Sequence, residues 1–260
     1  MTPDTSPATN HQAATAILSA LPEEQQGLIG LLVQPQKVVH AGRDFWLGSL
    51  HGQPVVLALS RIGKVAAATT AAALIERFQV ARILFTGVAG GLGEGVQVGD
   101  VVVAEDFLQH DMDASPIFPR YEVPLYGQTR FAADPALSAL LLEAARSALQ
   151  HNWPYDGRLA FPGARLHHGL MASGDQFISG TAESGELRRA LAAAGHAVLA
   201  VEMEGAAVAQ VCHDYGLPFA SVRTISDRAD DQAHADFPTF VRDIASQYAR
   251  VIVEKFLQML

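Results

Sequence analysis

Val80-Ala81-Arg82-Ile83-Leu84-Phe85-Thr86-Gly87-Val88-Ala89-Gly90-Gly91-Leu92-Gly93 sets the architecture of this 260-residue chain. Its first seven residues form a nearly unbroken apolar run of strand length, the mark of a strand buried on both faces by helices. The glycines at 87, 90, 91, 93 and 95 invite a dinucleotide-binding reading, but they lead towards another β-type run at 98–105 and not into a helix. No helix N-terminus is therefore placed to hold a pyrophosphate. The stretch reads as a central strand ending in a glycine turn.

On either side of it, apolar strands alternate with helices. Residues 16–21 form an apolar run that stops at Pro22, and Pro22-Glu23-Glu24 carries the proline and first-turn carboxylates of a helix start. Residues 44–60 alternate around His51-Gly52-Gln53-Pro54 as a hairpin does, and the alanine-rich residues 65–78 read as a helix. Beyond the central strand the pattern predicts helices at 135–150, 182–194 and 205–215 and strands at 168–172, 197–201 and 219–227. A closing helix follows, in which Phe237, Phe240, Val241, Ile244, Tyr248, Val251, Ile252 and Phe256 recur at three- and four-residue spacing. Residues 109–134 are too long for a plain connection and read as a functional loop. The expected fold is α/β: a single three-layer domain over 16–260, with a central mixed or largely parallel β-sheet flanked by helices, behind a flexible tail at 1–15.

Composition narrows the partners. With 49% apolar and 17% charged residues the chain has material for a core, and no apolar run approaches the ~20 residues of a membrane span. A formal net charge of −9, with its 18 Lys and Arg scattered, argues against a nucleic-acid partner. The lone Cys212 excludes an internal disulfide and a multi-thiolate zinc site, and the opening residues lack the pattern of a secretory signal, so a cytoplasmic protein is expected.

Ligands of open α/β sheets bind beyond the carboxyl ends of the strands. Here those ends deliver Pro22-Glu23-Glu24, Gly87 to Gly91, Ser173-Gly174-Asp175, Glu202-Met203-Glu204 and Ser226-Asp227, enough carboxylates for acid–base chemistry in one cleft. Taken singly they read blandly: Glu24 as a helix-start charge, Asp227 as an acceptor in a turn, and Met203, Phe177, Ile178 and Phe237 as core. His110-Asp111-Met112-Asp113 lacks a third and fourth ligand at metal-site spacing and reads as hydrogen-bonded loop residues. Neither a metal nor a cofactor is implied.

Taken together, VEMEGAAVAQVC (201–212), VRTISDRADD (222–231), SGDQFISG (173–180), TGVAGGL (86–92) and ALPEE (20–24) resemble the 5′-methylthioadenosine/S-adenosylhomocysteine nucleosidases of the purine nucleoside phosphorylase family, in one order from about residue 17 onward. The resemblance implies a nucleoside phosphorylase-like fold, usually homodimeric. It also implies hydrolysis of the N-glycosidic bond of 5′-methylthioadenosine and/or S-adenosylhomocysteine, releasing adenine and the 5-thio-substituted ribose. It casts Asp227 as the acid that protonates purine N7 with help near Ser226, Glu24 as the base that activates water with Arg223 beside it, and Glu204 as the acceptor for the ribose 2′ and 3′ hydroxyls. Met203 and Glu202 would lie at the sugar, Ala89 and Gly90 in the glycine segment, Phe177 and Ile178 along the adenine, and Phe237 near the 5′ substituent. An ordinary Asp, with a pKa near ~3.9, would need burial to carry its proton at neutral pH.

Two stretches depart from the family. Val88 stands where relatives often have Ser, and the lost donor weighs against phosphorolysis more than against hydrolysis. Residues 111–125 also differ; in the family such a segment reaches the neighbouring subunit's pocket, so the preference for a 5′ tail does not carry over. Futalosine-type nucleosides, AMP, phosphorolysis and a catalytically silent nucleoside binder are the alternatives. Retention of Glu24, Glu204 and Asp227 together argues against the last, and the absence of a basic cluster near the motifs argues against a 5′-phosphate.

Overall fold

The structure, a computed structural model, describes residues 14–150, 163–230, 233, 240, 244 and 246–260. The central strand, β5, does not stop at the glycines: it runs Arg82–Gly91. Its first half lies between β1 (Thr15–Ser19) and β10 (Phe219–Asp227), both parallel to it. Beyond Thr86 the ladder to β10 continues through Arg223↔Gly87, Thr224↔Val88 and Ile225↔Ala89, so the expected glycine turn is instead extended backbone. At Gly90 and Gly91 the strand gains another neighbour, β9 (Val198–Glu202), which is antiparallel.

The other strands are β2 (Val33–His40), β3 (Arg43–Leu50), β4 (Gln53–Leu59), β6 (Val101–Gln109), β7 (Arg130–Ala132) and β8 (Leu166–Ser173). The helices are α1 (Pro22–Ile29), α2 (Lys64–Phe78), α3 (Pro135–Gln150), α4 (Thr181–Ala193), α5 (Gly205–Tyr215) and α6 (Ser246–Met259). The sheet order is β10-β6-β8-β9-β5-β1-β4-β3-β2, with β7 on β6. Because β10 also pairs with β5, the strands β5, β10, β6, β8 and β9 close on themselves, and β1, β4, β3 and β2 extend from this ring as an open sheet. Closure gives every strand of the ring a neighbour on both sides. Strands β10, β5, β1 and β4 run one way and β6, β8 and β9 the other. Where Gly90 and Gly91 face Val201 and Ala200, the carboxyl ends of the two opposed sets come together.

Strand periodicity sorts the side chains onto two faces. Ala16, Leu18, Ile83, Phe85 and Val102 pack with Leu74 of α2 and Val208 of α5, while Ile17, Leu84, Val101 and Val103 pack with Leu28 of α1, Leu141 of α3 and Phe256 of α6. Each fully buried Leu, Ile, Val or Phe contributes about 1.5–3 kcal/mol, so two helical layers on one sheet account for the uninterrupted apolar strands. This is the three-layer, mixed-sheet architecture expected from the sequence.

Two strands fall outside the expectation. β2 is an exposed edge strand with little apolar patterning, and Pro35 is tolerated there because an edge need not donate every N–H. β7 is three residues long and sits inside the 109–134 loop. The β3–β4 hairpin turns at His51 (φ 50°) and Gly52 (φ 80°), the positive-φ pair of a two-residue connection. No helix among the described residues is long and apolar enough to cross a membrane.

Candidate active site

A cavity of about 430 Å³ opens where the two strand sets meet, within the size range of small-molecule sites. Glu24, Asp227, Glu204, Met203, Glu202, Phe177, Ile178, Ser226, Ala89, Gly90 and Arg223 all lie on its wall. Phe237 lies outside the described residues.

Glu24 is the third residue of α1 and is 1% exposed. Its Oε2 accepts hydrogen bonds from the backbone N–H groups of Ala20 (2.9 Å) and of the N-cap residue Leu21 (3.0 Å), which ties the incoming chain to the first turn of the helix. Its Oε1 accepts from Val88 N–H at 3.1 Å on β5. Burial raises its pKa, against the pull of these N–H groups and of Arg223. The helix-start reading and the catalytic reading therefore describe the same carboxylate. The glycine beside it makes room: a Cβ on Gly87 would stand 2.9 Å from Glu24 Oε1 and 3.2 Å from Arg223 Nη1.

Glu202 and Glu204, two residues apart, are separated by their partners. Glu202 accepts from Arg223 Nη2 (2.8 Å), from Gly205 N–H (2.8 Å), from Glu204 N–H (3.1 Å) and from the Ser173 hydroxyl. Both its oxygens are engaged, so although it borders the cavity its work is to cap α5 and to hold the Arg223 guanidinium over the Phe85 ring, 4.0 Å from the centroid. Glu204 accepts one hydrogen bond, at Oε1 from Gly63 N–H (2.9 Å), and its Oε2 accepts none among the described residues. Burial first, and then the charge of Glu202, push its pKa up to about 8, with Arg223 and Gly63 N–H opposing. A buried carboxylate with free lone pairs is the acceptor a vicinal diol requires.

Asp227 ends β10 at 2% exposure. The Ser226 hydroxyl donates to its Oδ2 (2.8 Å) and Ala229 N–H to its Oδ1 (2.8 Å). A Cβ on Gly90 would stand 3.0 Å from Asp227 Oδ1, so the second glycine clears the second carboxylate as Gly87 clears the first.

Ile62, Gln176 and Gly63 are absent from the sequence candidates. Ile62 and Gln176 line the cavity, and Gly63 holds Glu204. The glycine just before an alanine-rich helix is a visible helix-start signal, but nothing in the sequence says that the carboxylate it meets lies 141 residues away.

Residues 14–258 match the phosphorylase superfamily. Over 242 residues the chain is 36% identical to a 5′-methylthioadenosine/S-adenosylhomocysteine nucleosidase from Chromohalobacter salexigens, covering 91% of this chain and 94% of that one. The crystal structure of 5′-methylthioadenosine/S-adenosylhomocysteine nucleosidase from Neisseria meningitidis in complex with methylthio-immucillin-A is 34% identical, with a TM-score of 0.84 over 95% of this chain and 99% of that one. The futalosine hydrolase structure from Helicobacter pylori is 31% identical, with a TM-score of 0.82 over 95% of this chain and 98% of that one.

Proposed function

The chain belongs to the phosphorylase superfamily, and from the carboxylates gathered in its cavity we infer that it is a hydrolase that cleaves the N-glycosidic bond of 5′-methylthioadenosine and/or S-adenosylhomocysteine. The observation that carries the choice of water over phosphate is the charge of the wall: among the described residues, Glu24, Glu202, Glu204 and Asp227 face a single cation, Arg223. A phosphate dianion needs several donors and cations, whereas water needs chiefly a base. Val88 supports the same reading, because it brings no hydroxyl and its N–H is committed to Glu24.

The chemistry follows from the positions. Glu204 accepts hydrogen bonds from the ribose 2′ and 3′ hydroxyls, with Met203 against the sugar and Phe177 and Ile178 along the purine. Asp227, beside the Ser226 hydroxyl and Ala229 N–H, is the acid: it delivers a proton to purine N7 as the C1′–N9 bond breaks and its electron pair leaves with the base. The sugar passes through oxocarbenium character, which neighbouring carboxylates stabilise electrostatically. Glu24 takes a proton from the water that attacks C1′. Its raised pKa moves it towards the range in which a carboxylate acts as an efficient base. The products are adenine and the 5-thio-substituted ribose.

We take the enzyme to be a cytoplasmic homodimer, with residues 111–125 near the neighbouring subunit's pocket. Ile117 and Leu125 in that segment are 82% and 91% exposed and Ile62 at the cavity is 57% exposed, apolar surface of the kind a partner covers. The decisive experiment is product analysis of purified protein with 5′-methylthioadenosine, with and without phosphate. Adenine and methylthioribose are expected in both arms. Intact nucleoside overturns the enzymatic reading, and a sugar 1-phosphate overturns hydrolysis.

A further inference from the structure

The HDMD string at 110–113 plays no part in the mechanism above, yet one of its residues closes a ring of hydrogen bonds behind the sugar end of the cavity. Asp111 Oδ1 accepts from Lys64 Nζ at 2.5 Å, and Asp111 Oδ2 accepts from Asp175 N–H at 2.9 Å. Asp175 Oδ1 in turn accepts from the backbone N–H of Lys64 at 2.7 Å. Burial opposes the charge on Asp111, but the Lys64 bond, the Asp175 N–H and the Lys64 charge outweigh it and hold its carboxyl below the usual range.

This ring ties together two segments that border the cavity, at Ile62 and at Gln176 to Ile178. Lys64 follows Gly63, whose N–H is the hydrogen-bond donor to Glu204. Asp175 precedes Gln176, Phe177 and Ile178 on the cavity wall. Gly63 sits at φ +98°, where side chains are strained, and a Cβ there would stand 3.2 Å from Asp175 Oδ1. The ring's bond to the Lys64 N–H holds the peptide plane that follows Gly63, one φ,ψ pair away from the plane that carries the Gly63 N–H. The network also returns to the helix that begins after Glu204: Lys64 Nζ donates to Gln109 Oε1 (3.1 Å), and Gln109 Nε2 donates to Gln210 Oε1 on α5 (2.8 Å). None of Lys64, Asp111 and Asp175 lines the cavity.

We propose that Lys64, Asp111 and Asp175 are positioning residues for the ribose grip: their ring fixes the Gly63 N–H that aims Glu204 at the sugar hydroxyls. The proposal rests on the nucleoside-hydrolase reading, in which Glu204 holds those hydroxyls. A purely structural ring would lower activity on every nucleoside alike. A ring that aims Glu204 selectively costs substrates that possess the hydroxyls.

The test compares 5′-methylthioadenosine with its 2′-deoxy analogue, by kcat/KM and by calorimetric Kd, in the wild type and in Asp175→Ala, Asp175→Asn and Lys64→Met. The Asn variant keeps an acceptor for Lys64 N–H, and thermal melts verify folding. For Asp175→Ala and Lys64→Met, the preference for the hydroxylated nucleoside is expected to shrink by about tenfold, the size of one lost charge-assisted hydrogen bond. Asp175→Asn is expected to restore most of it. Equal losses on both nucleosides, or an unchanged preference, overturn the proposal. Failure of the wild type to cleave either compound overturns the hydrolase reading instead, and the Kd ratios still decide the ring.

Discussion

At the level of single residues, the proposed chemistry falls to groups that already have structural work. Glu24 reaches back to the N–H groups of Ala20 and Leu21 as any helix-start glutamate does, and only its other oxygen, bonded to Val88 N–H, carries it to the cavity. Glu24→Gln tests the division of labour. The amide oxygen still serves one pair of donors, but its NH₂ group meets an N–H where an acceptor stood, at a cost of about 1–3 kcal/mol in stability. Loss of the base is expected to lower kcat by about 10²–10⁴-fold with Kd for the nucleoside changed far less. Single-turnover kinetics beside calorimetry separate the two effects, and wild-type kcat in this variant removes Glu24 from the mechanism. The pair Glu202 and Glu204 teaches the same lesson: of two glutamates on one strand end, one is committed to Arg223 and α5, and the other keeps lone pairs open for the sugar proposed above.

Among the elements, β5 owes its glycines to what lies across from them. Hydrogen bonding to β10 keeps the segment extended, and the missing Cβ atoms at Gly87 and Gly90 leave space for Glu24 and Asp227. Gly87→Ala is therefore expected to preserve the strand while pushing the Glu24 carboxylate aside by a few tenths of an ångström or more. Turnover should fall by on the order of 10–10²-fold, as misplacement of a reacting group does, while the melting temperature drops by only a few degrees. Unchanged kcat in the Gly87→Ala variant would mean that the close approach between β5 and Glu24 is without catalytic consequence.

Across the whole molecule, the fold concentrates acid groups where burial disfavours their charge, and stability must answer to pH. Glu204, ordinarily near 4.5, is raised to about 8 by burial and Glu202, and Glu24 is raised for the first of these reasons. Below the ordinary value both folded and unfolded chains hold the Glu204 proton, and its stabilising contribution is fully present. As pH rises towards 8 the unfolded chain releases a proton that the folded chain keeps, so this contribution is lost progressively through the folded value. Other groups titrate across the same range, so the informative quantity is the difference between wild type and Glu204→Gln in urea unfolding. The Gln variant is expected to match the wild type near pH 4.5 and to exceed it at pH 8 by on the order of 1–4 kcal/mol, one pKa unit being worth about 1.4 kcal/mol. It should do so with its binding and turnover impaired. Equal unfolding midpoints across that range would show that Glu204 keeps its ordinary affinity for protons.

The layers and the candidate residues were legible in the amino-acid sequence alone. Strand runs such as VARILFT and helix-start residues such as Pro22-Glu23-Glu24 are local signals, because burial on two faces and the capping of a helix are settled within a few residues. The strand-end motifs likewise placed Glu24, Glu204 and Asp227 on the cavity wall. Local signals failed where the cause was distant: β2 has little apolar patterning because it is an exposed edge, and the glycine segment is extended only because β10 pairs with it. It took tertiary pairing to close five strands into a ring, to bring the carboxyl ends of opposed strands together at Gly90, and to commit Glu202 to Arg223 while Glu204 meets Gly63. Those outcomes depend on hydrogen bonds between residues tens to more than a hundred positions apart. The pattern of one segment carries no information about which distant donor will claim its oxygen.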